Sequence, residues 1–215
     1  MKMLLKLLLS PAARRALRGS LPSNEVGHIL RETWRMYDQL VPSIPKESTR
    51  GSRLMLRLAA CAVSLYRALL QKSFSAEEAS RLVSEAAWLV YAKMALPPRV
   101  LATLLTRNPL GRLKIATDFF RWFPFGPPSY RMEDIPAEAG AVAFDVLRCP
   151  VAEFFRQEGL PELCVHTFCE LDFPLANAWG GSLERTGTLA GGAKRCDFRW
   201  WTTSSLQEKP TGALL

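Results

Sequence analysis

No apolar run in this chain approaches the roughly 18–20 residues that a membrane-spanning helix needs, so a protein built on transmembrane helices is excluded. No period repeats along its 215 residues, which argues against a solenoid. Zinc-finger, RNP-type aromatic and basic-zipper motifs are all missing, so nucleic acid is not an expected partner. The paired C-x2-C knuckles of structural zinc sites are missing as well. Apolar residues are not scarce: 48% of the chain is hydrophobic and 22% charged, enough to build a core and to exclude wholesale disorder.

Acids are in deficit, 20 against 28 Lys and Arg, for a formal net charge of +8. The imbalance is local. Residues 1–20 carry Lys2, Lys6, Arg14, Arg15 and Arg18 and no acid, and residues 90–131 carry seven basic residues against Asp118 alone. A basic surface attracts anions such as acidic lipid or a carboxylate substrate. The apolar stretch after Lys2 is interrupted by Lys6 and stops at Leu9, short for a secretory signal. It reads as a surface helix or frayed leader with some capacity for membrane-surface contact. The cysteines are Cys61, Cys149, Cys164, Cys169 and Cys196, an odd and sparse set. Secreted disulfide scaffolds use even, denser sets, so reduced thiols in the cytoplasm are expected.

Helical spacing and stop signals predict helices over 24–40, 53–71, 76–95, 98–106 and 110–122, with Ser75 and Glu78 forming a capping-box pattern. Residues 123–140 are rich in proline and glycine, and Tyr130 and Met132 fit a short strand. Ala141–Arg148 alternates as a strand. Helices follow over 151–157 and 161–171, the second restarting at Pro174 and running to Trp179. Leu183–Ala190 and Cys196–Trp201 read as partner strands. The predicted fold class is α+β: a helical N-terminal half, then a small antiparallel sheet with packed helices. The corresponding divisions are a leader at 1–22, a helical region at 23–122, a motif-bearing region at 123–201 and a tail at 202–215, with 23–201 forming one domain.

Chemistry-bearing residues concentrate in 149–200. On a continuous helix His166, Cys169 and Asp172, three apart, form one ridge, whereas Cys164 lies roughly 140° from Cys169. Three chemistries fit these residues. A cysteine activated by His166 or by a helix terminus can act as a nucleophile. Asp172 and Glu184 can activate water. Cys149, Cys164, Cys169 and Cys196 can hold a divalent metal, although nothing in the sequence requires a cofactor. Each cysteine taken singly also fits as a small core residue.

The segments Cys149-Pro150, Gly159-Leu-Pro-Glu-Leu-Cys164, Cys169-Glu-Leu-Asp172, Leu183-Glu-Arg-Thr-Gly-Thr188-Leu-Ala and Cys196-Asp-Phe-Arg-Trp200 resemble the L-2-amino-thiazoline-4-carboxylic acid hydrolase family in order and spacing. More distantly, the Glu…Gly…Cys-x-Phe arrangement is similar to vinyl-4-reductase-type domains, with Thr186 and Thr188 here where those domains place a cysteine. The resemblance implies a hydrolase that opens a cyclic amidine-type C=N bond in a small carboxylate-bearing heterocycle, giving an N-carbamoyl amino acid. Cys169, Asp172, Glu184 and His166 are then the catalytic candidates. Arg185, Thr188, Cys149, Cys164 and Cys196 are the substrate-binding candidates, with Arg185 gripping the carboxylate through a bidentate contact. Two other classes compete: a non-catalytic ligand-binding or sensor domain of the same fold, and a helical interaction protein whose basic N-terminus docks on an acidic partner or membrane.

Overall fold

The computed structural model describes residues 2–203. Helix α1 (Lys2–Leu17) lies on α4, and Leu5 and Leu17 are fully buried there. Helices α2 (Ser23–Leu40), α3 (Arg50–Leu70) and α4 (Ala76–Met94) form the N-terminal layer. Each start has a chemical cause. Thr49 Oγ1 accepts from the Ser52 N–H at 3.2 Å, so α3 begins three residues earlier than the apolar pattern predicts. At α4 the Ser75–Glu78 capping box forms in both directions. Helices α5 (Leu96–Leu105) and α6 (Pro109–Trp122) complete the helical part. None of the described helices is long and apolar enough to cross a membrane.

The sheet has the order β1-β2-β4-β3, antiparallel throughout, from β1 (Arg131–Asp134), β2 (Ala141–Arg148), β3 (Gly181–Glu184) and β4 (Cys196–Thr202). The molecule is therefore α+β, as its sequence predicts. Alternation along the central strands sends Phe144, Val146, Cys196, Phe198 and Trp200 to the helical side. Asp145, buried on the opposite face, is paired with Arg195 at 3.2 Å and Arg199 at 3.0 Å. Between β2 and β3 lie α7 (Pro150–Gln157), the short α8 (Pro161–Cys164), a π turn (Val165–Cys169) and α9 (Asp172–Ala178). One apolar cluster runs from Leu5 on α1 to Trp200 on β4.

Two expectations are corrected. The helix over 161–171 is not continuous α, because the π turn occupies its second half. The strand over 183–190 ends at Glu184, and the chain then loops. The Asp197 carboxylate holds that loop, accepting from the Thr186 and Gly187 N–H groups at 3.0 and 2.9 Å and from the Thr186 hydroxyl at 2.7 Å. The carboxylate thus captures backbone N–H groups that a longer strand would pair across the sheet. The expected tail falls largely on 204–215, outside the described residues, and Thr202 belongs to β4.

A Cβ on Gly51 would lie 2.3 Å from the Pro124 carbonyl oxygen, so α3 and the proline-rich loop touch backbone to backbone. Gly51→Ala is expected to destabilise the protein by about 1–3 kcal/mol, the usual cost of overpacking. An unchanged midpoint in denaturant unfolding would contradict that contact.

Candidate active site

The π turn sets the geometry of the site. The Glu170 N–H bonds to the Val165 carbonyl at 2.9 Å, an i→i+5 bond that widens the turn by one residue. Residues five apart then stack along the axis instead of diverging. The Cys164 and Cys169 thiols come to line one cavity, which overturns the 140° separation expected on an α-helix. The same turn rotates His166 outward. Its ring is exposed, with Nδ1 3.1 Å from Glu170, and it leaves the ridge predicted with Cys169 and Asp172.

Cys169 and Asp172 face a cavity of about 100 Å³ between the helical layer and the sheet. Arg185 closes one side of it. Its Nη1 donates to Asp172 Oδ2 at 2.7 Å and its Nη2 to the Cys169 carbonyl at 2.8 Å. Its guanidinium is nearly inaccessible and lies 5.1 Å from the Phe198 ring and 5.2 Å from the Phe173 ring. Both terminal nitrogens of Arg185 are thus engaged by protein groups.

The electrostatics separate the thiols. The neighbouring Cys164 thiol, outweighing burial and the Asp172 charge, holds the Cys169 thiol below its usual range, with the Arg185 charge and the Thr188 hydroxyl acting in the same direction. Thr188 Oγ1 accepts from the Gly191 N–H at 2.9 Å, which leaves its own proton to give. The Cys169 thiol, followed by burial, raises Cys164 well above the ordinary thiol range. Burial likewise raises Cys149, against the Ala152 N–H that reaches its Sγ at 3.5 Å where it caps α7. Cys196 is pushed up to about 12 by burial, opposed by the Leu189 N–H at 3.2 Å. Burial also pushes the Asp172 carboxyl up to about 6, with Arg185 pulling the other way.

The far wall of the cavity is aromatic. Phe144 and Phe198 are a cross-strand pair stacked at 5.1 Å, Trp200 continues the stack 5.9 Å from Phe198, and Arg121 lies 4.6 Å from the Phe144 ring centre. Three donors that sequence reasoning passed over line this same cavity. The Tyr130 hydroxyl, Trp200 Nε1 and Arg121 Nε are buried atoms with no hydrogen-bond partner among the described residues. A buried donor left unpaired costs about 1–3 kcal/mol, so three around one cavity mark a place for an acceptor-rich ligand. Tyr130 is fixed by its neighbour: the Ser129 carbonyl accepts from Arg148 Nη1 at 2.6 Å, and Arg148 Nη2 is paired with Glu47 at 2.7 Å and Glu153 at 2.8 Å. Trp200 ends the Cys-Asp-Phe-Arg-Trp segment, but nothing local marks its nitrogen as unpaired.

The structure thus brings together Cys149, Cys164, Cys169, Cys196, Asp172 and Arg185, with Thr188 against Cys169. It does not bring in Glu184, which points to the opposite face of the sheet and accepts from Trp201 Nε1 at 2.9 Å. His166 lies on a surface groove with Ser84 and Glu170. Cys61 is buried in α3 beside a separate apolar cavity. Among the described residues no three His, Cys, Asp or Glu side chains are grouped so as to hold a metal ion. Among the described residues the four cysteines line the cavity without the grouping of a cysteine-ligated metal.

A family model described as L-2-amino-thiazoline-4-carboxylic acid hydrolase matches residues 55–200, which include every residue lining this cavity. No curated protein matches the chain, and neither does any solved structure.

If the Cys164 thiol holds Cys169 low, Cys164→Ala should slow alkylation of Cys169 by iodoacetamide at pH 7 by about threefold or more, because less of it is thiolate. Peptide mapping of the alkylated thiols measures this. An unchanged rate at Cys169 would sink the assignment.

Proposed function

The chain belongs to the L-2-amino-thiazoline-4-carboxylic acid hydrolase family, and from that premise we propose that it hydrolyses a cyclic amidine of this type, with Cys169 as nucleophile and Asp172 as base. The observation that carries the reading is a lowered thiol and a raised carboxyl in one buried cavity, tied together by Arg185. Groups whose environments push their pKa values away from normal toward the operating range are suited to covalent and acid–base work.

The substrate ring is a cyclic isothiourea, a base that carries a proton near neutral pH. The Asp172 carboxylate receives the amidinium N–H groups and directs C2 toward Cys169. The Cys169 thiolate forms an S–C2 bond. The tetrahedral adduct then collapses with cleavage of the C2–ring sulfur bond, and the ring sulfur leaves as a thiolate. Asp172 takes a proton from water as the oxygen adds to the same carbon. The Cys169–carbon bond breaks and restores the thiolate. The departed sulfur takes up the proton shed by the new carbonyl group, and Asp172 returns its own to solvent. The product is an N-carbamoyl amino acid bearing a free thiol, formed with net uptake of one water.

The orphan donors supply orientation. The substrate carboxylate is acceptor-rich, and the Tyr130 hydroxyl, Trp200 Nε1 and Arg121 Nε are suited to receive it. Arg185, already engaged, positions Asp172 and the Cys169 backbone instead of gripping the substrate. The aromatic wall shields the substrate ring from bulk solvent. The five free thiols support a reducing compartment such as the cytoplasm.

Two outcomes test the reading. On incubation with the aminothiazoline carboxylate, intact mass should reveal an adduct on Cys169 that accumulates when Asp172→Asn blocks water activation, while Cys169→Ala shows neither adduct nor turnover. The wild-type kcat/KM should fall as pH drops through about 6, because Asp172 takes up a proton there. Tight binding with no turnover at any pH would instead identify a ligand-binding domain.

A further inference from the structure

Helix α5 is inside out. An ordinary surface helix turns its aliphatic stripe to the core and its polar face to water. In α5 the buried residues are the small Pro98 and Ala102, while Leu96, Val100, Leu101, Leu104 and Leu105 are exposed, Leu104 to 79% and Leu105 to 64%. Helix α5 packs on α6, at whose end Trp122 is 74% exposed beside Phe123. Five large aliphatics on a ten-residue helix are more than a folded surface carries by chance scatter.

Charge identifies the partner. No acidic residue occurs between Glu85 and Asp118, and the interval carries Lys93, Arg99, Arg107, Arg112 and Lys114. Lys93, Arg99 and Arg107 are exposed, and among the described residues none of them forms an ion pair. Exposed leucines with a neighbouring tryptophan and a rim of Lys and Arg are the composition of helices that lie in a lipid–water interface. The rim suits an anionic headgroup layer. A second copy of this chain suits it poorly, because a two-fold contact across this face would set its uncompensated cations against one another.

We propose that α5, with the exposed end of α6, is a membrane-surface docking element that seats the protein on anionic bilayers. The leucines enter the headgroup–acyl boundary, and Arg99, Arg107 and Lys93 contact the anionic lipids. This holds whichever reaction the cavity runs.

The test is co-sedimentation of the full chain with phosphatidylcholine vesicles, with and without phosphatidylserine. Binding is expected only with phosphatidylserine, and is expected to weaken as salt is raised. The double variant Leu104→Asp/Leu105→Asp should bind at least tenfold more weakly, and Arg99→Glu/Arg107→Glu should lose binding to the phosphatidylserine vesicles. Both changes are at exposed positions, and an unaltered thermal transition checks that the fold is intact. The proposal is overturned if the wild type stays in the supernatant. It is also overturned if vesicle binding survives Leu104→Asp/Leu105→Asp, which would transfer it to another surface such as α1. A dimer that this variant dissociates, with no vesicle binding, would assign the face to self-association instead.

Discussion

The hydrogen bond from the Glu170 N–H to the Val165 carbonyl is one residue longer in reach than an α-helical bond, and the site depends on that extra residue. With α-helical bonding the two cysteines would point to different sides and His166 would share a ridge with Cys169. With the π turn, the Cys164 and Cys169 thiols share one cavity, His166 is delivered to solvent, and the chain restarts as α9 with Asp172 in its first turn. π turns are less favourable than continuous α-helix and persist mostly where a site requires them. Here the turn sets the Cys164 and Cys169 thiols into one largely apolar cavity.

Around that turn the protein keeps a costly arrangement in place. A buried Asp172–Arg185 pair contributes little net stability, because removing both charges from water offsets most of their attraction. Several unrelated elements hold it. The Asp197 carboxylate fastens the loop that carries Arg185 and Thr188, and Phe198 and Phe173 lie against the guanidinium. For Asp197 itself, burial opposes ionisation, but the Thr186 and Gly187 donors outweigh it and hold the carboxyl below its ordinary range. That carboxylate stays charged, and the loop stays fastened, at every pH where the Cys169 thiolate could act. On the opposite wall Arg148, Glu47 and Glu153 fix the segment that ends in Tyr130. The site is therefore built from both ends of the chain fold, and no single helix or strand contains it.

Much of the fold could be read locally. Ser75 and Glu78 mark the start of α4 because a cap is a contact between residues three apart. Ala141–Arg148 reads as a strand because alternation is local, and its bounds coincide with β2. The four cysteines gathered in the last third converge on one cavity in the fold. The failures share a cause. Sequence spacing assumes regular geometry, so it could not register the single-residue insertion that makes the π turn. It also carried the 183–190 strand past the point where Asp197, distant in sequence, captures the backbone. Glu184 and Arg185 are adjacent, yet one accepts from Trp201 on the outer face and the other enters the cavity. Tyr130, Trp200 and Arg121 were illegible for a different reason: an unpaired donor is defined by what all its neighbours fail to provide, and no local pattern encodes that.

Cys169, and none of the three cysteines around it, is proposed as the thiolate of this cavity. The most direct measurement is a pH titration of the protein labelled with ¹³C at cysteine Cβ, followed by NMR. Cys169 is expected to titrate below the ordinary thiol range while Cys149, Cys164 and Cys196 stay protonated into strongly alkaline solution. Titration of Cys169 together with or after those three would contradict the account, since the neighbouring thiol brought by the π turn would then not activate it.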